Sequence, residues 1–332
     1  MATLIQAPQA VSELVRSHRL RPLECLPWIV TVAAYFLFPT YLSLGSQVLI
    51  YILFALSLDL ILGYAGIVTL GHAAFFGVGA YTVGILAVHL GWNEPISGLI
   101  AAALVAGLLG VISGLVILRT HGLTLLMLTL AVAFMLSEAA NRATSLTGGA
   151  DGLQNFTMQP VLGLFRFDIF GRTAYVYCFV VVFLVWGFVR LLVHSPFGRS
   201  LTGIRENVVR MHAIGAPVRR RLVTAYAIAG AIAGVAGGLL AQTTQFVALN
   251  VIGFELSGTI LIILILGGIG RLYGAFIGAP LYMIAQDRLA ETDPVFWKFW
   301  IGLLLVFIVM FARGGVLGLI DAGLRRIRRG RA

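Results

Sequence analysis

GYAGIVTLGHAAFFGVGAYTVGILAVHL, running from Gly63 to Leu90, decides how this chain is read. Its second half has the apolar continuity of a membrane helix, and Ala73, Gly77, Ala80 and Gly84 recur at intervals of four, three and four residues. That spacing places them on one helical face, where small side chains let a neighbouring backbone approach closely. The first half is interrupted by Gly63, Gly66, Thr69 and Gly71. Non-helical backbone at membrane depth survives only where protein or a wet cavity surrounds it, so the interruption points to a transport pathway. An unbroken glycine-rich membrane helix is the other reading, because glycine is common in such helices.

The surrounding composition sets the scene for this stretch. Of 332 residues, 60% are hydrophobic and 11% charged, and apolar runs of membrane-spanning length recur throughout. The chain therefore reads as an all-α, polytopic helical membrane protein. A formal net charge of +10 would suit nucleic acid, but the arginines gather in short segments between and after the apolar runs, as the positive-inside rule expects. Cys25 and Cys178 stand far apart with no metal-ligand spacing around either, so neither a disulfide nor a metal site is expected. Residues 1–25 carry Arg16, Arg19 and Arg21 without an apolar segment and read as a cytoplasmic tail.

Working outward from the opening stretch, Leu26 to Leu44 is the first crossing, with Pro27 and Pro39 near its ends, and Gln47 to Leu62 returns inward. The return carries Asp59, a carboxylate that must face the bundle or a polar cavity, although no partner is identifiable for it. After the opening stretch come crossings at Ile96 to Leu118 and Gly122 to Ala140, with Arg119 and His121 marking the inner side between them. Asn141 to Arg172 is the longest external segment, and its TGGADGL, Thr147 to Leu153, has the chemistry of a turn. Glu138 and Arg142 are placed to pair across one helical turn. Thr173 to Val193 crosses inward.

The loop from His194 to Arg221 is the strongest inside marker, with Arg199, Arg205, Arg210, Arg219, Arg220 and Arg221 against Glu206 alone. Leu201, Ile204, Val208, Met211 and Ile214 recur at intervals of three or four, predicting one short amphipathic docking helix that ends near Ile214 before Gly-Ala-Pro. Leu222 to Gln245 follows, with Ala225, Ala229, Ala233, Gly237 and Ala241 each four apart, the pattern of a span buried among helices. Phe254 to Leu266 crosses inward and is broken by Gly267, Gly268 and Gly270; a further span ends near Ala290. Lys298, between Trp297 and Trp300, anchors the last span to Phe311. The count is about ten spans with both ends inside, the crossings near Gly63 and before Gly267 being open to a re-entrant reading. The permease domain is 26–318, with a basic tail at 319–332.

Six fragments in sequence, GYAGIVTLGHAAFFGVGAY, RTHGLTLLMLTLA, TGGADGL, SPFGRSLTGIRENVVRMHAIGAP, AGAIAGVAGGLLA and GGIGRLYGAFIGAP, resemble the LivM-type permease subunit of branched-chain amino acid ABC importers over roughly residues 46 to 320. The resemblance implies a type II ABC importer-like fold in the cell inner membrane. It also implies a related permease as partner, two cytoplasmic ATPases and an external substrate-binding protein. Ser195 to Ala216 becomes the segment that fits a groove on an ATPase. There Arg205 and Glu206 orient the helix, Met211 and Ile214 anchor it, and Gly215 and Pro217 end it. Two departures stand out: Ala312 replaces an expected proline in FARGGVLGL, and Asp59 falls where the family has Asn or Asp.

Other function classes have less to stand on. A secondary transporter or channel needs intramembrane ionisable sites, and Asp59 is the one good candidate. An embedded enzyme has only His72 and His89 to offer, neither in a metal-ligand or general-base spacing, and His72 reads as a packing residue. A phosphate-binding GxxxxGK[ST] motif needs a lysine, and the sole one is Lys298, so ATP hydrolysis belongs to partner subunits and no cofactor is expected. Candidate pathway or packing residues are thus Asp59, Gly63, Gly66, Thr69, Gly71, His72, Gly77 and Gly84. The substrate is open between branched-chain amino acids and related small polar solutes.

Overall fold

A computed structural model describes residues 26–318 apart from 162, 164, 169, 170 and 312–314. The two tails, with their arginines, and Ala312 lie outside the described residues. The described chain is helical, with isolated bridges at Leu153–Val247 and Val161–Phe165. Helix α1 is Leu26–Leu37 and α2 is Leu42–Asp59, which winds on as a π-turn over Leu60–Tyr64. Helices α3 (Ala73–Leu90), α4 (Pro95–Ile117), α5 (Leu123–Arg142) and α6 (Arg172–His194) follow. Two short helices, α7 (Pro196–Glu206) and α8 (Val208–Ala213), lead into α9 (Val218–Thr244), then α10 (Phe254–Gly267), α11 (Gly274–Thr292) and α12 (Trp297–Phe311).

Six of these are long and apolar enough to cross a membrane: α2 with its π-turn, α3, α4, α5, α6 and α9. Helices α1, α10 and α12 are shorter apolar segments, and α11 ends among Asp287, Arg288 and Glu291. The expected first crossing, Leu26 to Leu44, is corrected: the helix stops at Leu37, a turn spans the Pro39 position, and α2 begins at Leu42. Proline removes a backbone donor and disfavours helical backbone in the residue before it.

Helix α2 is the axis, with Ile50, Leu53 and Phe54 fully buried. On one side of it α9 packs against α3 and α4; on the other stand α6, α10 and α11. The α3–α4–α9 group is built on small residues, and Ala225, Ala229, Ala233 and Ala241 are wholly buried. A Cβ on Gly79 would collide with Gly234 of α9, and one on Gly234 would stand 2.7 Å from Ala102 O of α4. Such contacts need bare backbone, because helix association in lipid rests on close packing. On the other side Trp28 of α1 fits edge-on among Phe179, Phe183, Trp186 and Phe276, tying α1 to α6 and α11.

The two ends of the bundle are distinct. At one, the Asn141–Gly171 segment is stitched to its neighbours: Leu153 pairs with Val247, Gln159 N–H donates to Asn93 O at 3.0 Å, and His89 meets Leu146 O at 3.0 Å. TGGADGL forms its turn here, with Gly148, Gly149 and Gly152 all at positive φ. At the other end lie the π-turn, the α7–α8 loop and the glycine turn after α10.

Candidate functional site: the broken segment and the loop that grips it

Between α2 and α3 the backbone of Ala65 to His72 leaves the helix, and three N–H groups in it and just after it are held by side chains, two of them from distant elements. Leu70 N–H donates to Thr129 Oγ1 of α5 at 3.3 Å, Gly71 N–H to Thr69 Oγ1 at 3.2 Å, and Ala73 N–H to Ser257 Oγ of α10 at 3.0 Å. Ala65, Ile67, Thr69, Gly71 and His72 of the break are buried, while Gly66 and Val68 are exposed; non-helical backbone at membrane depth persists where protein covers it. Thr69 and His72 are both buried. His72 Nε2 bonds Ser57 Oγ at 2.8 Å and its ring stacks on Phe54 at 5.5 Å, while Nδ1 is left without a partner. A Cβ on Gly71 would run into Thr129 O, so α5 touches the break at Thr129 twice. Nothing in the sequence marks Thr129, Ser57 or Ser257, because a lone hydroxyl in an apolar helix has no periodicity to announce it.

Gly77 and Gly84 are both buried, and the atoms nearest their Cβ positions belong to connecting segments and not to another long helix. Gly77 lies against Ile252 in the 3-10 turn Leu249–Ile252, and Gly84 against Leu153 and Val247. The helix contact is carried instead by the neighbouring face, where Gly79 opposes Gly234 and the Phe76–Ala80 backbone opposes Gly237. Helix α3 is covered on several sides, so a small-residue spacing identifies a packed face without saying what packs on it.

Asp59 acquires the partner that the sequence withheld. Buried at the end of α2, its Oδ1 accepts the Gly270 N–H at 2.7 Å, and Oδ2 has no hydrogen-bond partner. Gly63, one turn on, is pressed between Asp59 and Gly270: a Cβ there would stand 2.7 Å from Gly270 N. The Gly63 carbonyl accepts a hydrogen bond from Arg205 Nη1, and the side chain of Arg205 lies over Gly66, whose φ of +74° suits a residue without Cβ. Asp59, Gly63, Gly66, Arg205 and Gly270 thus form one cluster. In the sequence Gly270 reads only as a helix breaker.

The basic loop is two helices, not the single one expected. Ser195 Oγ accepts Gly198 N–H at 3.3 Å and Pro196 opens α7; Asn207 ends α7 and caps α8 by accepting Arg210 N–H at 2.9 Å. Asparagine favours caps because its short side chain competes with helical backbone. The break divides the apolar stripe. Leu201, Ile204 and Met211 turn into the chain's own body, Met211 packing with Ile204 and Val218. Met211 is therefore an internal support. Ile214 is 71% exposed and Val209 78%, both on the outer surface of the loop with Glu206. Gly215, at φ +77°, ends the turn after α8. Beside it an open groove is lined by His212, Pro217, Arg219 and Leu115, whose carbonyl accepts Arg219 Nη2 at 3.0 Å. Among the described residues, no three His, Cys, Asp or Glu side chains are grouped to hold a metal.

The family described as branched-chain amino acid transport system / permease component matches residues 40–318, from the start of α2 to the end of the described chain. The chain belongs to that family. Among curated relatives, this permease is 26% identical over 300 residues to the high-affinity branched-chain amino acid transport system permease protein LivM of Escherichia coli, covering 83% of this chain and 69% of that one. It is 26% identical over 262 residues to the L-arabinose ABC transporter permease protein AraH of Azospirillum brasilense, covering 76% and 73%. With the Escherichia coli permease protein LivH it shares 25% identity over 289 residues, covering 83% and 92%. No solved structure matches the permease.

Proposed function

We propose that this permease is a transmembrane subunit of an ATP-driven ABC importer for branched-chain amino acids or a related small polar solute. It sits in the cell inner membrane, with the α7–α8 loop and the tails at 1–25 and 319–332 in the cytoplasm. It pairs with a related permease, two ATPase subunits bind from inside, and a binding protein delivers the solute from outside. The relatives' printed functions span branched-chain amino acids and L-arabinose, which is why the solute is held at this breadth.

The observation that carries the reading is the loop. It is hung between α6 and α9, supported from within by Leu201, Ile204 and Met211, and presents Val209 and Ile214 outward among arginines. An apolar anchor ringed by charge is how a packed protein contact is made. Asp59 gives little to a secondary-transport reading, because one of its oxygens already holds the Gly270 N–H at the end of the bundle where Arg205 sits. The test is reconstitution of the permease with its companion permease, ATPases and binding protein in liposomes. Uptake of radiolabelled leucine that requires ATP inside is expected. Uptake driven by an ion gradient without ATPases would overturn the proposal.

A further inference from the structure

We propose that Arg205 and Asp59 are positioning residues of a mechanical latch, through which the loop helix α7 moves the ends of α2, α10 and α11 together. This rests on the ABC-permease reading and goes beyond it, because it separates the side of the loop that docks from the side that transmits. Arg205 is bound to the chain's own backbone: its guanidinium donates to Gly63 O in the π-turn that ends α2, and its aliphatic stem lies 2.9 Å from where a Gly66 Cβ would be. Helix C-terminal carbonyls are short of donors, and a cation there is favoured by the helix dipole as well. One turn earlier on the same helix, Asp59 Oδ1 holds the Gly270 N–H, in the turn that joins α10 to α11.

The connection is therefore serial: α7 to Gly63, Gly63 and Asp59 on one helix end, and Asp59 to the α10–α11 turn. Gly63 and Gly270 lie so close that a Cβ on Gly63 would displace the Gly270 backbone, and Gly270 itself has φ +75°. The Arg205 bond is made by a guanidinium, and a hydrogen bond from a charged donor is stronger than a neutral one. The π-turn supplies the give, since an extra residue per turn loosens the ladder and such turns gather at functional sites. The broken segment Ala65 to His72 begins directly after it, so a pull at Gly63 reaches the stretch held by Thr129 of α5 and Ser257 of α10.

The experiment uses the full complex in liposomes and measures solute moved per ATP hydrolysed, with ATPase co-purification as a separate readout. Arg205→Met should keep the ATPases bound and hydrolysing while uptake per ATP falls about tenfold or more, the fold-change that loss of a charge-assisted hydrogen bond corresponds to. Arg205→Lys, which can still donate to one carbonyl, should recover most of it. Loss of the ATPases in Arg205→Met would overturn the latch and return Arg205 to the docking surface. A second arm leaves Arg205 in place: Asp59→Asn keeps an oxygen that can accept the Gly270 N–H, whereas Asp59→Leu does not. Coupling should be kept in Asp59→Asn and low in Asp59→Leu, with the ATPases bound in both. Equal coupling in the two variants would overturn the latch. Failure of the native complex to import would count against the proposed function instead.

Discussion

Replacing Gly237 of α9 by alanine adds one methyl group at the tightest part of the helix packing. A Cβ there would stand 2.7 Å from the carbonyl carbon of Phe76 and 3.0 Å from Ala80 N, and would overlap Phe76 O. These are backbone atoms of α3, which cannot rotate away, and carbon contacts prefer separations of roughly 3.5–4.0 Å. The helices must part by on the order of 1 Å at that point, loosening Gly79 against Gly234 as well. Overpacking of this kind costs about 1–3 kcal/mol. Gly187 of α6 supplies the control, because nothing lies within 4 Å of its Cβ position. There the same change should be neutral or stabilise by up to about 1 kcal/mol, since glycine inside a helix is unfavourable relative to alanine. The assay is thermal unfolding in detergent, followed by loss of the monodisperse peak on size exclusion. At roughly 2–4 °C per kcal/mol the Gly237→Ala midpoint should fall by several degrees while that of Gly187→Ala stays or rises. Equal midpoints for the two variants would refute the claim that α3 and α9 touch backbone to backbone.

Gly77→Leu should wedge the Leu249–Ile252 turn off α3 and cost about 1–3 kcal/mol, read as a lower unfolding midpoint; an unchanged midpoint would mean that Gly77 faces open space. At the loop, Ile214→Asp should weaken ATPase co-purification by roughly 2 kcal/mol or more, and Arg219→Ala by less, because an apolar anchor outweighs a rim charge. Retention of the ATPases by the Ile214 variant would place the docking surface elsewhere. For the orientation of the chain, an impermeant thiol reagent on intact cells should label a cysteine at Asp151 and spare one at Glu206; the reverse pattern would invert the proposed topology.

Much of the helical architecture is legible along the chain because a bilayer imposes it locally: each crossing must be long, apolar and internally hydrogen-bonded. The run of alanines from Ala225 to Ala241 states its own burial, and the glycines of TGGADGL state their turn. Where the reading failed, two local forces competed. Asn207 satisfied helical spacing on paper, yet its side chain caps a second helix and splits the stripe, turning Met211 inward and leaving Ile214 outside. Pro39 likewise shortened a run that was apolar enough to continue.

The sequence by itself determined a polytopic helical permease, a break after Gly63, and a basic loop built to be held by something. Only the tertiary structure decided what touches what. Asp59 meets Gly270, Arg205 meets Gly63, and Leu70 meets Thr129 across separations of 211, 142 and 59 residues. Hydrophobic period reports which face of a helix is covered, because that is a property of neighbouring residues. It says nothing of which distant backbone does the covering, since that depends on how all the helices pack at once.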